Sequence, residues 1–254
     1  MSGRSKGGND VVDGGAGGID TTDFLHGDAY LLEDRAAGGN DHVRGGPMDE
    51  VHGDASTMTG HARGGNDHLY GAGGTSLYGE AREMGGNARG GNDHLLGGSD
   101  LFGDANWMSG DAAGGDDRLY AHAGGSTLAG DAIFMADRAR GGDDRLYGGE
   151  GDDRFYGDAA RMSGDAEGGD DRITGDAGRD AFHFSGAFGD DVITDAESGE
   201  WIVFGDYADR QADFTVTEHA DRTVISIGDD SVTLLGVTGL DAGLLSGADV
   251  VFIA

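Results

Sequence analysis

A short pattern, Gly-Gly-(Asn/Asp)-Asp-x-apolar, recurs along this chain with its final acid at Asp10, Asp41, Asp67, Asp93, Asp117, Asp144 and Asp171, at spacings of 31, 26, 26, 24, 27 and 27. A fixed period of this size is the mark of a stacked repeat, in which each unit covers its apolar face only against its neighbours. A second column runs in step with the first. Gly-Asp-Ala occurs at Asp28, Asp54, Asp104, Asp131 and Asp158, with Glu80 in place of Asp in one copy. A Met follows in most copies, at Met58, Met84, Met108, Met135 and Met162. Between the two columns lies a third turn, complete at Gly148 to Phe155, nearly so at Gly175 to Phe182, and shortened or altered at Gly71 to Leu77, Gly97 to Leu101 and Ala121 to Leu128.

The apolar residues Leu119, Leu128, Leu146, Phe155, Ile173 and Phe182 fall nine or eighteen residues apart. Nine residues fit a six-residue Gly/Asp turn followed by a three-residue x-apolar-x strand. Two such units predict an eighteen-residue coil, and hence an all-β chain whose residues 1–182 form a parallel β-roll. One inward apolar side chain per strand makes a thin core that depends on stacking.

Composition narrows the function. Gly fills 53 of 254 positions and Pro one, without collagen periodicity, which excludes ordinary helical and doubly wound enzymes. The net charge is −31, carried by 39 Asp against 9 Glu. That acidity excludes binding to nucleic-acid phosphates or anionic membranes as the main role. The preference for Asp points to turns, where its short side chain hydrogen-bonds nearby backbone. With no Cys, neither disulfides nor thiolate metal sites are available. No apolar run follows Met1, so neither an amino-terminal signal peptide nor a transmembrane segment is expected.

In a turn such as Ala139 to Leu146, the Gly pair allows a tight bend with carbonyls converging on one centre, and the Asp supplies a hard anionic oxygen. Oxygen-only sites suit Ca²⁺, which takes six to eight oxygens in flexible geometry. Stacked carboxylates repel one another without a cation, so multiple bound Ca²⁺ ions are expected to be part of the fold.

The nonapeptide Gly-Gly-x-Gly-x-Asp-x-apolar-x, met in full at residues 148–155, resembles the repeats-in-toxin (RTX), haemolysin-type calcium-binding repeat. The resemblance covers residues 5 to 182. It implies that the sixth-position acid is the side-chain ligand, which maps to Asp10, Asp41, Asp67, Asp93, Asp117, Asp144, Asp153, Asp171 and Asp180. The Gly-Asp-Ala acids Asp28, Asp54, Asp104, Asp131 and Asp158 are counted with them as candidate metal ligands. Ser76 and Ser126 stand where a ligand Asp is expected. Residues 183–254 are richer in Val, Ile, Thr and Phe and read as a β-rich cap. There Phe214 to Thr217 and Thr223 to Ile227 alternate, and Gly228-Asp229-Asp230 turns the chain into Ser231 to Leu235, a hairpin signal. The segment from Phe182-His183-Phe184 through Asp190 to Asp195 resembles the module that ends RTX proteins, and Asp249 to Ala254 is similar to the uncleaved signal of type I secretion substrates. The implied life history is export through type I secretion machinery followed by calcium-driven folding outside the cell.

A disordered acidic linker does not explain the fixed apolar phase. The Met column reads as core filling. His42, His68 and His94 follow the ligand Asp, but Arg118, Arg145, Arg154 and Arg172 take that slot elsewhere, so it reads as solvated. Gly3-Arg4-Ser5-Lys6-Gly7 matches Gly-x-Ser-x-Gly without the strand and helix a nucleophile needs, and no enzyme active site is expected. Trp107 and the Tyr residues Tyr30, Tyr70, Tyr78, Tyr120, Tyr147 and Tyr156 suggest an outward surface suited to sugars. A calcium-dependent adhesin that binds cell-surface glycans, and the carboxyl-terminal module of a larger secreted hydrolase or epimerase, therefore stay open. No long amphipathic helix supports pore formation.

Overall fold

The computed structural model describes residues 1–15, 22–122, 124–205, 214–240 and 250–252. Among them there is only β structure, arranged in three sheets with mostly parallel neighbours. Each coil of the solenoid visits all three. Using the coil around Asp67 as an example, His68–Gly71 lies in the first sheet, Ser76–Tyr78 in the second and Ala81–Met84 in the third. A single parallel bridge at Arg89 then closes the coil before the next Gly-Gly-Asn-Asp.

Registers fix the coil length. His42 pairs with His68, His68 with His94, His94 with Arg118, Arg118 with Arg145 and Arg145 with Arg172, so each coil equals one full sequence period. The expected eighteen-residue coil is thus replaced by a longer one. The nine-residue spacing measures only the step from the first sheet to the second, and the Gly-Asp-Ala-x-x-Met segment adds a third side. Alternation explains that segment: Ala81 and Met84 are buried while Arg82 and Glu83 between them are exposed.

Two main apolar cores result, beside a small third cluster of Tyr78, Phe102 and Ala129. The larger stacks Val43, Leu69, Leu95, Leu119, Leu146 and Ile173 of the first sheet against Val51, Leu77, Leu101, Leu128, Phe155 and Phe182 of the second. The smaller joins the Ala and Met columns of the third sheet (Met58, Met84, Met108, Met135) to Ala36, Ala62, Ala88, Ala112 and Ala139 beside the bridges. Fully buried Met residues confirm core filling, because an unbranched side chain can occupy the uneven space left by small Ala neighbours.

Parallel stacking continues through Ala181–Ser185, Asp190–Ile193 and Trp201–Gly205, but this last coil is shorter: Arg172 pairs with Val192 and Ala181 with Trp201. The third sheet ends at Ala159–Met162, and Phe184, Phe188 and Phe204 fill the large core in the final coils. Asp230–Leu235 then joins the first sheet parallel to Asp190–Ile193, and Arg222–Ile227 and Phe214–Glu218 follow it as antiparallel neighbours, as their alternation predicts. Val250–Phe252 pairs antiparallel with Trp201–Gly205, whereas Asp249, Ile253 and Ala254 of the suggested secretion signal lie outside the described residues. No described helix is long and apolar enough to cross a membrane.

Candidate metal centres

The chain passes from the large core to the small one through Gly-Asp-Ala and returns through Gly-Gly-(Asn/Asp)-Asp. Both crossings place an acid indoors. On the return crossing, the Oδ1 of each inner Asp accepts the backbone N–H of its counterpart one coil earlier. Asp41 accepts from Asp10 at 2.6 Å, Asp67 from Asp41 at 2.7 Å, Asp93 from Asp67 at 2.7 Å and Asp117 from Asp93 at 2.6 Å. Asp144, Asp171 and Asp191 extend the ladder at 2.7, 2.9 and 2.8 Å. The preceding Asn or Asp faces solvent and runs a ladder of opposite sense, for example Asn66 N–H to Asn40 Oδ1 at 3.2 Å. Two adjacent short side chains, one in and one out, thus bind the turns together in both directions.

The outgoing crossing adds the second column. Asp28 accepts from Gly39 N–H at 2.6 Å, Asp54 from Gly65 at 2.9 Å, Asp131 from Gly142 at 2.9 Å and Asp158 from Gly169 at 2.5 Å. Asp104 takes Gly115 N–H, and Glu80 takes Gly91 N–H, its longer arm replacing the shorter acid.

These backbone bonds satisfy one oxygen per carboxylate and leave another buried with no partner: Oδ2 of Asp41, Asp67, Asp93, Asp117, Asp144, Asp171 and Asp191, Oδ1 of Asp28 and Asp54, Oε2 of Glu80 and Oδ2 of Asp131. An isolated buried carboxylate oxygen is costly, so this seam requires protons or cations. Burial first, then repulsion from neighbouring acids, holds Glu80, Asp93, Asp104, Asp131, Asp144, Asp158 and Asp191 well above the usual carboxylate range. Burial likewise pushes Asp41 up to about 6.

The two columns meet in the seam. Asp28, Asp41 and Asp54 bring oxygens within 4.8 Å of one another, as do Asp54, Asp67 and Glu80, and Asp158, Asp171 and Asp191. Ca²⁺–oxygen distances are about 2.4 Å, so 4.8 Å is the widest separation at which two oxygens still touch one ion. Backbone carbonyls join them: a Cβ on Gly53 would overlap both the Gly79 carbonyl oxygen and Asp67 Oδ2, and one on Gly79 would overlap the Gly103 carbonyl and Asp93 Oδ2. Glycine here keeps open a cradle lined with oxygen atoms. The donors are carboxylates and carbonyls without sulfur or imidazole, a set that fits a hard divalent cation.

Other predicted positions lie elsewhere. Asp10, at the open end of the inner ladder, is exposed. Asp153 and Asp180 belong to a separate row before the second-sheet strands, where Asp153 accepts Ser126 N–H at 2.6 Å and Asp180 accepts Asp153 N–H at 2.8 Å. Both keep a buried partnerless Oδ2, and burial pushes Asp153 up to about 7. Ser126 occupies this row, but Ser76 does not: Ser76 pairs with Asp100, and Thr75 holds the ligand position, its hydroxyl donating to the Gly46 carbonyl at 2.6 Å. Position is set by counting back from the inward apolar residue, not forward from the first Gly.

Sequence reasoning missed Asp191 and Asp49. Gly189-Asp190-Asp191-Val192-Ile193 retains the repeat after losing its first Gly, and Asp49-Glu50-Val51 retains Asp-x-apolar. Asp49 accepts from Asp23 N–H at 3.0 Å and from Gly46 N–H at 2.6 Å. Tyr78 is a correction to the outward Tyr surface, since it is buried in a stacked row with His52 and Phe102. Tyr30 and Tyr70 are exposed, and Tyr120 stacks on Tyr147. His42 and His68 stack on one another. Ser5 sits in an exposed turn, donating to the Ser2 carbonyl.

Comparison with known proteins agrees with this chemistry. Residues 6–18, 60–77, 138–160 and 165–193 match the family model of the RTX calcium-binding nonapeptide repeat, in four copies. No curated protein matches the chain. Among solved structures, the extracellular lipase LipA from Serratia marcescens is similar with a TM-score of 0.31 and 17% identity, over 81% of this chain and 38% of the lipase chain. The present chain therefore spans well under half of that protein.

Proposed function

We propose that this chain, parts of which match the RTX calcium-binding nonapeptide repeat, is a secreted calcium-binding β-roll with a structural rather than a catalytic role, and that it folds when it meets calcium outside the cell. The observation that supports this reading is the seam of buried carboxylates, most of which keep one oxygen without a partner. In a calcium-poor compartment those acids oppose folding by desolvation and repulsion. In millimolar calcium the same oxygens become ligands, and binding energy becomes folding energy. Weak sites suffice there, since extracellular modules commonly bind with dissociation constants of about 10⁻⁴ to 10⁻³ M.

Roles follow from position. Asp41, Asp67, Asp93, Asp117, Asp144 and Asp171 hold ions from the return crossing; Asp28, Asp54, Asp104, Asp131 and Asp158 hold them from the outgoing one. Asp153 serves the turn that matches the full nonapeptide, and Asp180 the nearly complete turn one coil later. Bound calcium supplies positive charge that lets facing carboxylates stay ionised in the interior. An unfolded, highly acidic chain suits passage through a type I channel, and folding outside would prevent its return. The test is the calcium midpoint of folding in Asp144→Ala and Asp153→Ala. Both midpoints are expected to rise; unchanged midpoints in both would remove the ligand assignment.

A further inference from the structure

The bridge corner of the solenoid carries two outward rows, separated by the inward Ala36, Ala62, Ala88 and Ala112. Bridges connect Lys6, Ala37, Arg63, Arg89, Ala113, Arg140 and Glu167 in one row. By the same register, the row two residues earlier is Arg4, Arg35, His61, Asn87, Asp111, Arg138 and Asp165. Toward the carboxyl end these rows neutralise themselves. Arg138 grips Asp111 through two hydrogen bonds of 2.6 and 2.8 Å, and Arg140 bonds Glu167 at 3.1 Å. Toward the amino end the acids vanish, leaving Arg4, Lys6, Arg35, His61, Arg63 and Arg89 exposed.

None of those six makes an ion pair among the described residues. The nearby Asp34 turns one carboxylate oxygen to Gly3 N–H at 3.2 Å. Arg4, Arg35, His61 and Arg63 line a cleft of about 520 Å³. A chain of net charge −31 has 17 Lys and Arg in all, so gathering five of them here, unpaired, runs against its overall bias. Adjacent rungs lie about 4.8 Å apart, and guanidinium forks match oxyanions bidentately. The field of the remote acids is screened beyond about 10 Å at 0.1 M salt, so the local cations dominate at contact.

We propose that this cleft is an anion-binding site for a small polyanion bearing sulfate or phosphate groups, held by Arg35 and Arg63 with Arg4 and His61 beside them. The site rests on the calcium reading only in that calcium folds the solenoid; no seam carboxylate lines the cleft.

The test is isothermal titration of the calcium-loaded full chain with sucrose octasulfate and, separately, fructose 1,6-bisphosphate, which distinguish a sulfate from a phosphate ligand. Binding of at least one probe is expected, weakening as salt rises. The double variant Arg35→Gln/Arg63→Gln should lose about tenfold or more in affinity. Arg138→Gln/Arg140→Gln, on the same rows but in the self-neutralised half, should stay within about twofold. Far-UV circular dichroism confirms that each variant is folded. No binding of either probe at about 1 mM in low salt, or equal losses in both double variants, would overturn the proposal.

Discussion

Replacing Asp41 by Asn separates the two roles of a seam carboxylate, because the substitution keeps the shape and the acceptor while removing the charge. Asp41 Oδ1 accepts Asp10 N–H at 2.6 Å, and Asn can accept the same bond. Its Oδ2 is buried without a partner, in the cluster with Asp28 and Asp54. Burial pushes this carboxyl from 3.8 up to about 6. A raised folded-state pKa means that the native form keeps a proton the unfolded chain releases as pH climbs from about 4 to 6. Above that window the ionised native state is disfavoured by the full shift. At 1.36 kcal/mol per pH unit, the shift corresponds to about 3 kcal/mol at pH 7.5. Asp41→Asn is therefore expected to stabilise the calcium-free fold by up to about 3 kcal/mol at pH 7.5, and to have little effect at pH 4. With calcium the sign reverses, since a charged ligand is lost, and the calcium midpoint should rise by about tenfold. The assay is urea unfolding followed by far-UV circular dichroism, in an osmolyte buffer with chelator and again across a calcium titration. Shifts of the same sign in both conditions would refute the reasoning.

Acidification should partly substitute for calcium. The seam acids are raised, so the native state binds more protons than the unfolded chain between about pH 4 and neutrality, and calcium-free β structure should grow as pH falls through that range. A calcium-free circular dichroism series that loses β structure on acidification to pH 4 would contradict this. Gly65→Ala should disrupt stacking even in calcium, because its Cβ would overlap the Gly39 carbonyl in the coil before. Backbone cannot yield there as a flexible side chain could, so the loss should be about 3 kcal/mol in calcium-saturated thermal or urea unfolding. An unchanged transition would show that the coils are less closely spaced.

Much of this architecture is legible in the sequence because stacking repeats each constraint. The inner Asp, two residues before an inward Leu, Ile or Phe, marks both strand register and ligand position in every regular coil. The Met and Ala columns announce a second core by their spacing alone. What sequence does not show is how many sides a coil has. Ala81-Arg82-Glu83-Met84 carries no nonapeptide signature, so the third side was hidden and the coil was expected to be shorter. The meeting of Asp54 with Asp67 and Glu80 follows from that third side, which folds two acids of one coil, thirteen residues apart, and a third from the coil before into one cluster. Thr75 was obscured for a related reason: loops of unequal length defeat forward counting, while the strand position of Leu77 restores the register. The unpaired arginines of the amino-terminal coils stood in plain view, but only the bridge register set them beside the paired arginines of the later coils.

The central claim is that divalent cations complete the acidic seam. The most direct measurement is a calcium titration of the purified chain, followed by far-UV circular dichroism and small-angle scattering with Mg²⁺ as control. The account predicts a cooperative gain of β structure with compaction in Ca²⁺, and little of either in Mg²⁺, whose strict octahedral geometry and reluctance to lose water suit these cradles poorly. A compact β-rich state at neutral pH that is indifferent to Ca²⁺ would contradict it.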